Sequence, residues 1–381
     1  MKLAFWVLCA LIAYAYVGYP LTIWLLSRLA GRDHSRDEEF APSMTLLVPA
    51  YNEEAIIASK LDNALSLDYP RDRLQIIVAS ESDDATDAIV RGYADRGVIL
   101  VTSSVRRGKV ANLGRAIPGA TGEILVFTDA NALFAPDCLR KLARHFADPS
   151  VGSVSGRLVY AGAGGASASA ERTYWSFEMM VKRASSRLGS LPGANGSLFA
   201  LRRALYRPIS ERRGDDFELP IRVILQGYRS VLEPEAVSTE EPSSRYIDEY
   251  RRKARIINWM VVSALILLKE AIAGGRWLIA FQLLFHKLNR WAVPIWLILL
   301  FPVTLRVAGD GGIYAAALAG QILLYALALA GLVLSALGRK PPALLGLPLY
   351  FVVVNAASLV GTATALAGHE VRWHKRPGGI S

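Results

Sequence analysis

Ile124-Leu-Val-Phe-Thr-Asp-Ala-Asn131 is the stretch whose reading decides the fold of this chain. Its apolar run reads as a buried strand, and the run stops abruptly at Asp129-Ala130-Asn131. A carboxylate and an amide two residues apart then lie just past the carboxyl end of a strand, where open α/β sheets bind ligands. Backbone alternation lets Asp129 and Asn131 point the same way. Hard oxygen ligands of this kind suit Mg²⁺ or Mn²⁺, and such ions usually keep substrate phosphates as further ligands. A strand-end turn rich in Asp and Asn is the plain alternative.

The segments upstream repeat the pattern. Met44-Thr-Leu-Leu-Val-Pro-Ala-Tyr-Asn-Glu-Glu54 is a short strand followed by acids, which fit the first turn of a helix over Ala55–Ser66. Leu74–Ser80 is a second strand, ending in Glu81-Ser-Asp-Asp-Ala-Thr-Asp87. Acids there can accept from ribose hydroxyls or a uracil N–H, whereas Asp87 fits a helix N-cap better. Val98–Thr102 is a third strand, leading into Arg106-Arg-Gly-Lys109. These cations suit a diphosphate, with a solvated basic loop as the alternative. Strands alternating with helices predict a doubly wound, mostly parallel sheet.

Composition adds a membrane to this picture. The chain has 381 residues, 52% of them hydrophobic, too apolar for an ordinary soluble protein. Leu3 to Ser27 holds no Asp, Glu, Lys or Arg and is far longer than the apolar core of a signal peptide, so residues 1–30 read as a transmembrane helix. Residues 31–245 read as one α/β domain. Residues 291–370 hold about three further spans, from Trp291–Leu305 with its flanks, Gly312–Leu337 and Ala343–Ala367. Between them, residues 246–290 alternate apolar stretches with Arg and Lys, which suits helices lying in the headgroup plane. A fifth span through Ile256–Leu268 is the alternative, short before Lys269 and Glu270.

Arg28, Arg32 and Arg36 follow the first span while only Lys2 precedes it, which predicts a cytoplasmic domain on the inner (plasma) membrane. Arg339-Lys340 agrees. The basic tail, residues 371–381 with Arg372, Lys375 and Arg376, does not, unless one C-terminal segment is re-entrant. The net charge of +10 fits an anionic bilayer surface; no nucleic-acid signature accompanies it, so no nucleic-acid partner is expected. Cys9 and Cys138 cannot form a disulfide framework. His145, His286 and His369 lack metal-ligand spacing and read as structural. Trp175, Phe177 and Met179-Met180 read as the core face of a helix rather than an acceptor groove.

In order along the chain, Val48-Pro-Ala-Tyr-Asn-Glu-Glu54, Glu81-Ser-Asp-Asp-Ala-Thr86, Gly108-Lys109 and Thr121–Asn131 resemble the successive motifs of the family 2 inverting glycosyltransferases. The likeness continues through Leu191–Arg203, Gly214-Asp-Asp-Phe-Glu-Leu-Pro220 and Gln226–Pro234 to His286–Pro294, the last resembling membrane-embedded members of the cellulose, chitin, hyaluronan and poly-N-acetylglucosamine synthase type. The resemblance implies a GT-A fold, a nucleotide-diphosphate sugar donor, UDP-linked by expectation, and bound Mg²⁺ or Mn²⁺. It implies donor contacts from Pro49, Tyr51, Glu53, Glu81, Asp84, Lys109 and Asp129, with Asp129 and Asn131 on the metal. Asn195 and Gly196 sit in a glycine-broken turn that suits either the donor sugar or a tight turn alone. Asp216 matches the general base that takes the acceptor hydroxyl's proton in a single displacement.

The resemblance further implies that Arg252 and Arg255 offset charge on the leaving diphosphate, unless they simply line a basic amphipathic helix. The polymerising members carry Gln-x-x-Arg-Trp here, where this chain reads Arg252-Lys-Ala-Arg-Ile256. Arg255 is kept, but the indole that holds the end of a growing polymer is replaced by Ile256. The implied activity is transfer to a polysaccharide or lipid-linked acceptor at the bilayer. Short or single additions are expected; processive synthesis with secretion through the spans, or a polyprenyl-phosphate acceptor, are the alternatives.

Overall fold

A computed structural model describes residues 1–161, 178–241 and 246–369. Its centre is an eight-stranded sheet of β1 (Met44–Ala50), β2 (Leu74–Ser80), β3 (Val98–Thr102), β4 (Ile124–Thr128), β5 (Leu133–Phe134), β6 (Val151–Tyr160), β7 (Leu198–Arg202) and β8 (Arg229–Glu240). The spatial order is β3-β2-β1-β4-β7-β6-β8-β5. Pairs β3-β2, β2-β1, β1-β4 and β6-β8 are parallel, while β4-β7, β7-β6 and β8-β5 are antiparallel. The expected doubly wound parallel half is therefore present, extended by an antiparallel half that the alternation of elements does not announce.

The apolar runs are continuous because both faces of the sheet are covered. Met44, Leu46, Val48, Ile76, Val78, Ile124 and Val126 face a core shared with Ile57, Leu61 and Leu139. Their alternates Leu47, Ile77, Leu125 and Phe127 face a second core with Leu113, Leu219 and Phe199. The rings of Phe127 and Phe199 stack across the β4-β7 pair at 4.6 Å. Because β1, β2 and β4 run parallel and adjacent, their carboxyl ends open onto one crevice.

Two local expectations are corrected. The first helix is Ile57–Leu65, so Glu53 and Glu54 stand before it rather than in its first turn. The helix after β2, Thr86–Arg91, is not capped by Asp87: its N-cap is Ala85, without a side-chain cap, and Asp84 Oδ1 just before it accepts the Thr86 N–H at 2.9 Å. Asp87 lies inside the first turn and pairs with Arg91 at 3.9 Å.

Five helical stretches are long and apolar enough to cross a membrane: Lys2–Ala30, Glu249–Ala273, Trp277–Asp310, Gly312–Ala336 and Ala343–Leu366. The third begins well before Trp291, because Trp277–Gln282 continues through a π-helical turn at Leu283–Leu288 into Asn289–Val307. Lys2 meets Asp310 at 3.4 Å and Phe5 packs with Leu300 and Val307, so the first and third helices run antiparallel. Tyr246–Ala273 packs Ile257, Val261, Ala264 and Leu267 against Phe217 and Ile221 of the α/β-domain helix Asp215–Leu225. Near its far end Glu270 meets Arg222 of that helix at 3.4 Å. The end of the last helix returns beside the same segment, where the Asn258 amide donates to Thr364 Oγ1 at 2.9 Å and the His369 carbonyl at 3.0 Å. Trp175, Phe177 and the tail 371–381 lie outside the described residues.

Candidate active site

Four charged side chains meet at the strand ends. Lys109 opens the helix Lys109–Ala116 after β3, and its Nζ lies 2.8 Å from Asp129 Oδ1 and 3.2 Å from Asp215 Oδ2. Asp129 follows β4. Asp215 and Asp216 form the first turn of Asp215–Leu225, where acids suit the helix dipole. Burial disfavours the Lys109 charge, but Asp129, Asp215 and Asp216 more than offset this and hold its pKa above the usual lysine value. Asp216 is pushed the other way. Burial, then the neighbouring Asp215 charge, raise it to about 6 against the pull of Lys109.

The loop carrying Asn195 and Gly196 wraps this carboxylate. The Ala194 N–H donates to the Asp216 carbonyl at 2.7 Å, and Gly193 reaches that path with φ +120°. A Cβ at Gly196 would stand 3.0 Å from Asp216 Oδ2, so the carboxyl group packs directly on bare backbone. Asn195 Nδ2 is buried with no hydrogen-bond partner among the described residues. Asn195 and Gly196 thus lie beside Asp216 rather than in an isolated turn.

The acids after β2 are already engaged. Glu81 is buried and its Oε2 accepts the N–H groups of Arg107 and Gly108, each at 2.9 Å, while Oε1 meets Arg115 at 3.3 Å. It shapes the basic loop that delivers Lys109. Asp84 accepts the Thr86 N–H and, at 3.3 Å, the Glu54 N–H, and the Glu53 N–H donates to Thr86 Oγ1 at 2.8 Å. Asn52, the one non-glycine residue with positive φ among the described residues, exchanges hydrogen bonds with Asp83 and so ties the ends of β1 and β2 together. Pro49 closes β1, and the Arg106 guanidinium lies 3.8 Å from the Tyr51 ring centroid at the crevice edge.

Arg252 and Arg255 approach from the opposite side on Tyr246–Ala273. Arg252 donates three hydrogen bonds to the Glu249 carboxylate, at 2.8 to 3.0 Å, and its charge acts on Glu240 at the end of β8. Arg255 lies over the Trp259 ring at 5.3 Å and senses the Asp129 charge.

Three residues escaped the sequence reading. Glu240 is partly buried near Asp129, and burial followed by that charge pushes it up to about 7. Only the antiparallel pairing of β5 with β8 brings it there. Lys60 is fully buried on Ile57–Leu65 beneath the Asp129 turn, although lysine normally marks a solvent face. Nothing local marks it, because a lysine among apolar helix positions ordinarily carries its charge out to solvent. Trp259 restores an indole one turn beyond Arg255, at a position that a search for Arg-Trp as neighbours passes over.

The residues fit a divalent ion held jointly with a ligand. Asp129 offers a carboxylate at 37% exposure and Asn131 an amide, both hard oxygen donors. Among the described residues no cluster of three or more His, Cys, Asp or Glu could hold an ion alone. Phosphate oxygens would have to complete the shell.

The open α/β sheet, with an acid turn, a lysine and a paired aspartate at its strand ends, is of the GT-A type. The family model described as glycosyl transferase family 2 matches residues 45–209, and the chain carries a glycosyltransferase family 2 domain. A probable glycosyltransferase of Bacillus subtilis (YdaM) is 26% identical over 235 residues, covering 56% of this chain and 54% of that protein. An N-acetylglucosaminyltransferase of Rhizobium meliloti is 27% identical over 240 residues, covering 56% and 55%. The chain thus spans about half the length of these relatives. A solved structure, the mannosyltransferase PcManGT from Pyrobaculum calidifontis in complex with GDP-Man and Mn²⁺, is 27% identical with a TM-score of 0.72, covering 96% of this chain and 100% of that one. The family match ends before Asp216, so the comparisons leave the role of that residue to its geometry.

Proposed function

We propose that this chain is an inverting, metal-dependent hexosyltransferase of the cytoplasmic membrane, moving a sugar from a nucleotide-diphosphate donor to a hydroxyl of a lipid-linked or polysaccharide acceptor. The observation that carries this is the meeting of Asp129, Lys109, Asp215 and Asp216 at the strand ends, within 3.2 Å along the Asp129–Lys109–Asp215 chain. Asp216 accepts the acceptor hydroxyl's proton as attack proceeds, and a carboxylate raised to about 6 is ionised at neutral pH yet basic enough to serve. Lys109 and Arg255 place fixed positive charge where the diphosphate leaves. A divalent ion held by Asp129 and Asn131 would add Lewis-acid stabilisation to that leaving group. Asn195 Nδ2 supplies a free donor for the sugar, and the crevice edge at Pro49, Tyr51, Glu53 and Asp84 borders the nucleoside. Glu81 acts through the loop it holds.

The catalytic domain lies on the cytoplasmic side, as the cations after the first helix suggest. Packing of Tyr246–Ala273 along the domain, with Glu270 still touching Arg222, supports an interfacial placement for that helix despite its length. The return of the last helix to Asn258 supports a re-entrant segment, which would bring the basic tail to the same side. Transfer to a lipid phosphate is the second reading, supported by one specific feature: Lys182, Arg290, Lys253 and Lys287 act on Glu178 and hold it down to about 2 despite its burial.

The test is a donor screen with purified protein in nanodiscs, reading nucleotide release and sugar transfer. UDP-sugars form the first arm. GDP-sugars form the second, because the similar mannosyltransferase holds GDP-mannose. Metal-dependent transfer from either class supports the reading; no release from any donor with Mg²⁺ or Mn²⁺ refutes it.

A further inference from the structure

The turn that carries Asp129 and Asn131 is held from below by a residue outside every motif quoted above. Lys60 has no exposed surface. Its Nζ donates to Thr128 Oγ1 at 2.9 Å and to the Ala132 carbonyl at 2.5 Å. These two acceptors flank Asp129-Ala130-Asn131 on either side. The ammonium also sits 4.1 Å from the Phe134 ring centroid. One turn along the same helix, Asn63 exchanges hydrogen bonds with the Phe134 backbone at 2.8 and 2.9 Å. Thr128 Oγ1 in turn donates to the Ser197 carbonyl at 3.0 Å, next to the loop that wraps Asp216.

The geometry points to Lys60 as a positioning residue for the metal–diphosphate site: its buried side chain fixes both ends of the Asp129-Ala130-Asn131 turn and, through Thr128, couples that turn to the Asn195–Ser197 loop. A cation is an odd occupant for such a place. Among the described residues no carboxylate pairs with Lys60, so its contacts are neutral oxygens and a ring face. Burying a charge on those terms costs free energy that a Met or Leu would not. What a lysine provides here and an apolar residue cannot is two directed donors converging on the two ends of one turn. A turn with only one carboxylate depends strongly on orientation, because the ion's affinity rests on Asp129 and Asn131 facing the phosphates together. Groups that orient metal ligands typically govern affinity by 10–100-fold.

Charge and geometry predict opposite outcomes, which makes the idea decidable. If Lys60 were only a nearby positive charge, replacing it would remove repulsion and tighten cation binding. If it positions the turn, replacement weakens binding. The experiment is Mn²⁺ binding to full-length protein in nanodiscs, followed by electron paramagnetic resonance, with uridine diphosphate in one arm and guanosine diphosphate in the other. Thermal unfolding is recorded in parallel. Lys60→Met, linear and similar in volume, is expected to raise the Mn²⁺ Kd by about tenfold or more. Thr128→Val, which deletes one acceptor and the link to Ser197, is expected to raise it severalfold and decides the matter should Lys60→Met not fold. An unchanged or lower Kd in either folded variant overturns the proposal, even if Tm falls, because the lysine would then be structural only. The inference rests on the donor-site reading above. Wild-type protein that binds Mn²⁺ with neither nucleotide would refute that reading directly, and the role of Lys60 with it.

Discussion

Asp216→Asn separates the roles of the paired aspartates most cleanly. Asparagine matches aspartate in shape, so the contacts with Gly196 and Gly214 and the backbone bond from Ala194 should survive. What disappears is the proton acceptor. General base catalysis contributes about 10²–10⁴-fold, so the rate should fall by at least ~10², a barrier increase of about 2.7 kcal/mol. Stability should move the other way. Asp216 titrates at about 6 in the fold against 3.8 in its ordinary state, so the unfolded chain releases its proton first as pH rises. The native state therefore loses stability between those values, and the deficit persists at neutral pH. Asparagine never ionises and escapes that cost, which is at most on the order of 3 kcal/mol. The assay pairs single-turnover transfer with calorimetric donor titration and a thermal melt. The expected result is a large rate loss, unchanged donor Kd and a Tm equal to or above wild type. In the wild type, rate should fall about tenfold per pH unit below 6, as a base of that pKa loses its ionised form. Loss of donor binding, or a Tm several degrees lower with proportionate loss of rate, would refute the assignment and leave Asp216 structural.

Asp129→Asn should abolish transfer while Asn131→Asp keeps or improves it, and nucleotide release should vanish with EDTA and return with Mn²⁺ or Mg²⁺; full activity in chelator would contradict the metal role. Arg255→Ala should cut turnover sharply, whereas Ile256→Trp should remain active; mass analysis of products should show short or single additions, and a high-molecular-weight ladder would mean that Trp259 or another group sustains polymer synthesis. Acid should destabilise the tie between the membrane linker and the domain. His34 Nε2 meets His145 Nδ1 at 2.5 Å, and His145 Nε2 meets Glu233 at 2.6 Å. Burial, with the neighbouring histidine, holds His34 down to about 4, and burial lowers His145 as well. The unfolded chain therefore takes up these protons first, and stability should fall as pH drops from about 6.5 toward 4. Glu233, held at about 2 by His145 and Arg144 despite burial, extends the loss as pH falls below 4.5. Melts across this range should show Tm falling, and His34→Asn should flatten the upper part of the curve.

Much of the fold lay in the periodicity of the chain itself. β2 and β3 begin and end where the sequence suggested: β2, apolar and buried, has little freedom to be anything else, while β3, at the sheet edge with Ile99 exposed, keeps its β-branched run. After β2 it is Asp84, not Asp87, that accepts a backbone N–H at the helix start, since both can serve and only the path of the turn selects one. Asp129 was legible as an acid just past an apolar run and Lys109 as a cation of the basic loop after a strand, whereas Asp216 was legible only through the family resemblance. Their meeting was not. Lys109 and Asp215 are far apart in sequence, and only the sheet order β3-β2-β1-β4-β7 carries the turns holding them to one crevice. Glu240 and Lys60 were invisible for a stronger reason. A glutamate at a strand end and a lysine on a helix are ordinarily solvated, and nothing local distinguishes the exceptions. The membrane helices divide in the same way. Apolar length fixed which segments suit lipid, because hydrocarbon demands it of any sequence. Whether Tyr246–Ala273 leaves the domain or lies along it depends on Phe217 and Ile221 covering its apolar face, a packing choice made between residues distant in the chain.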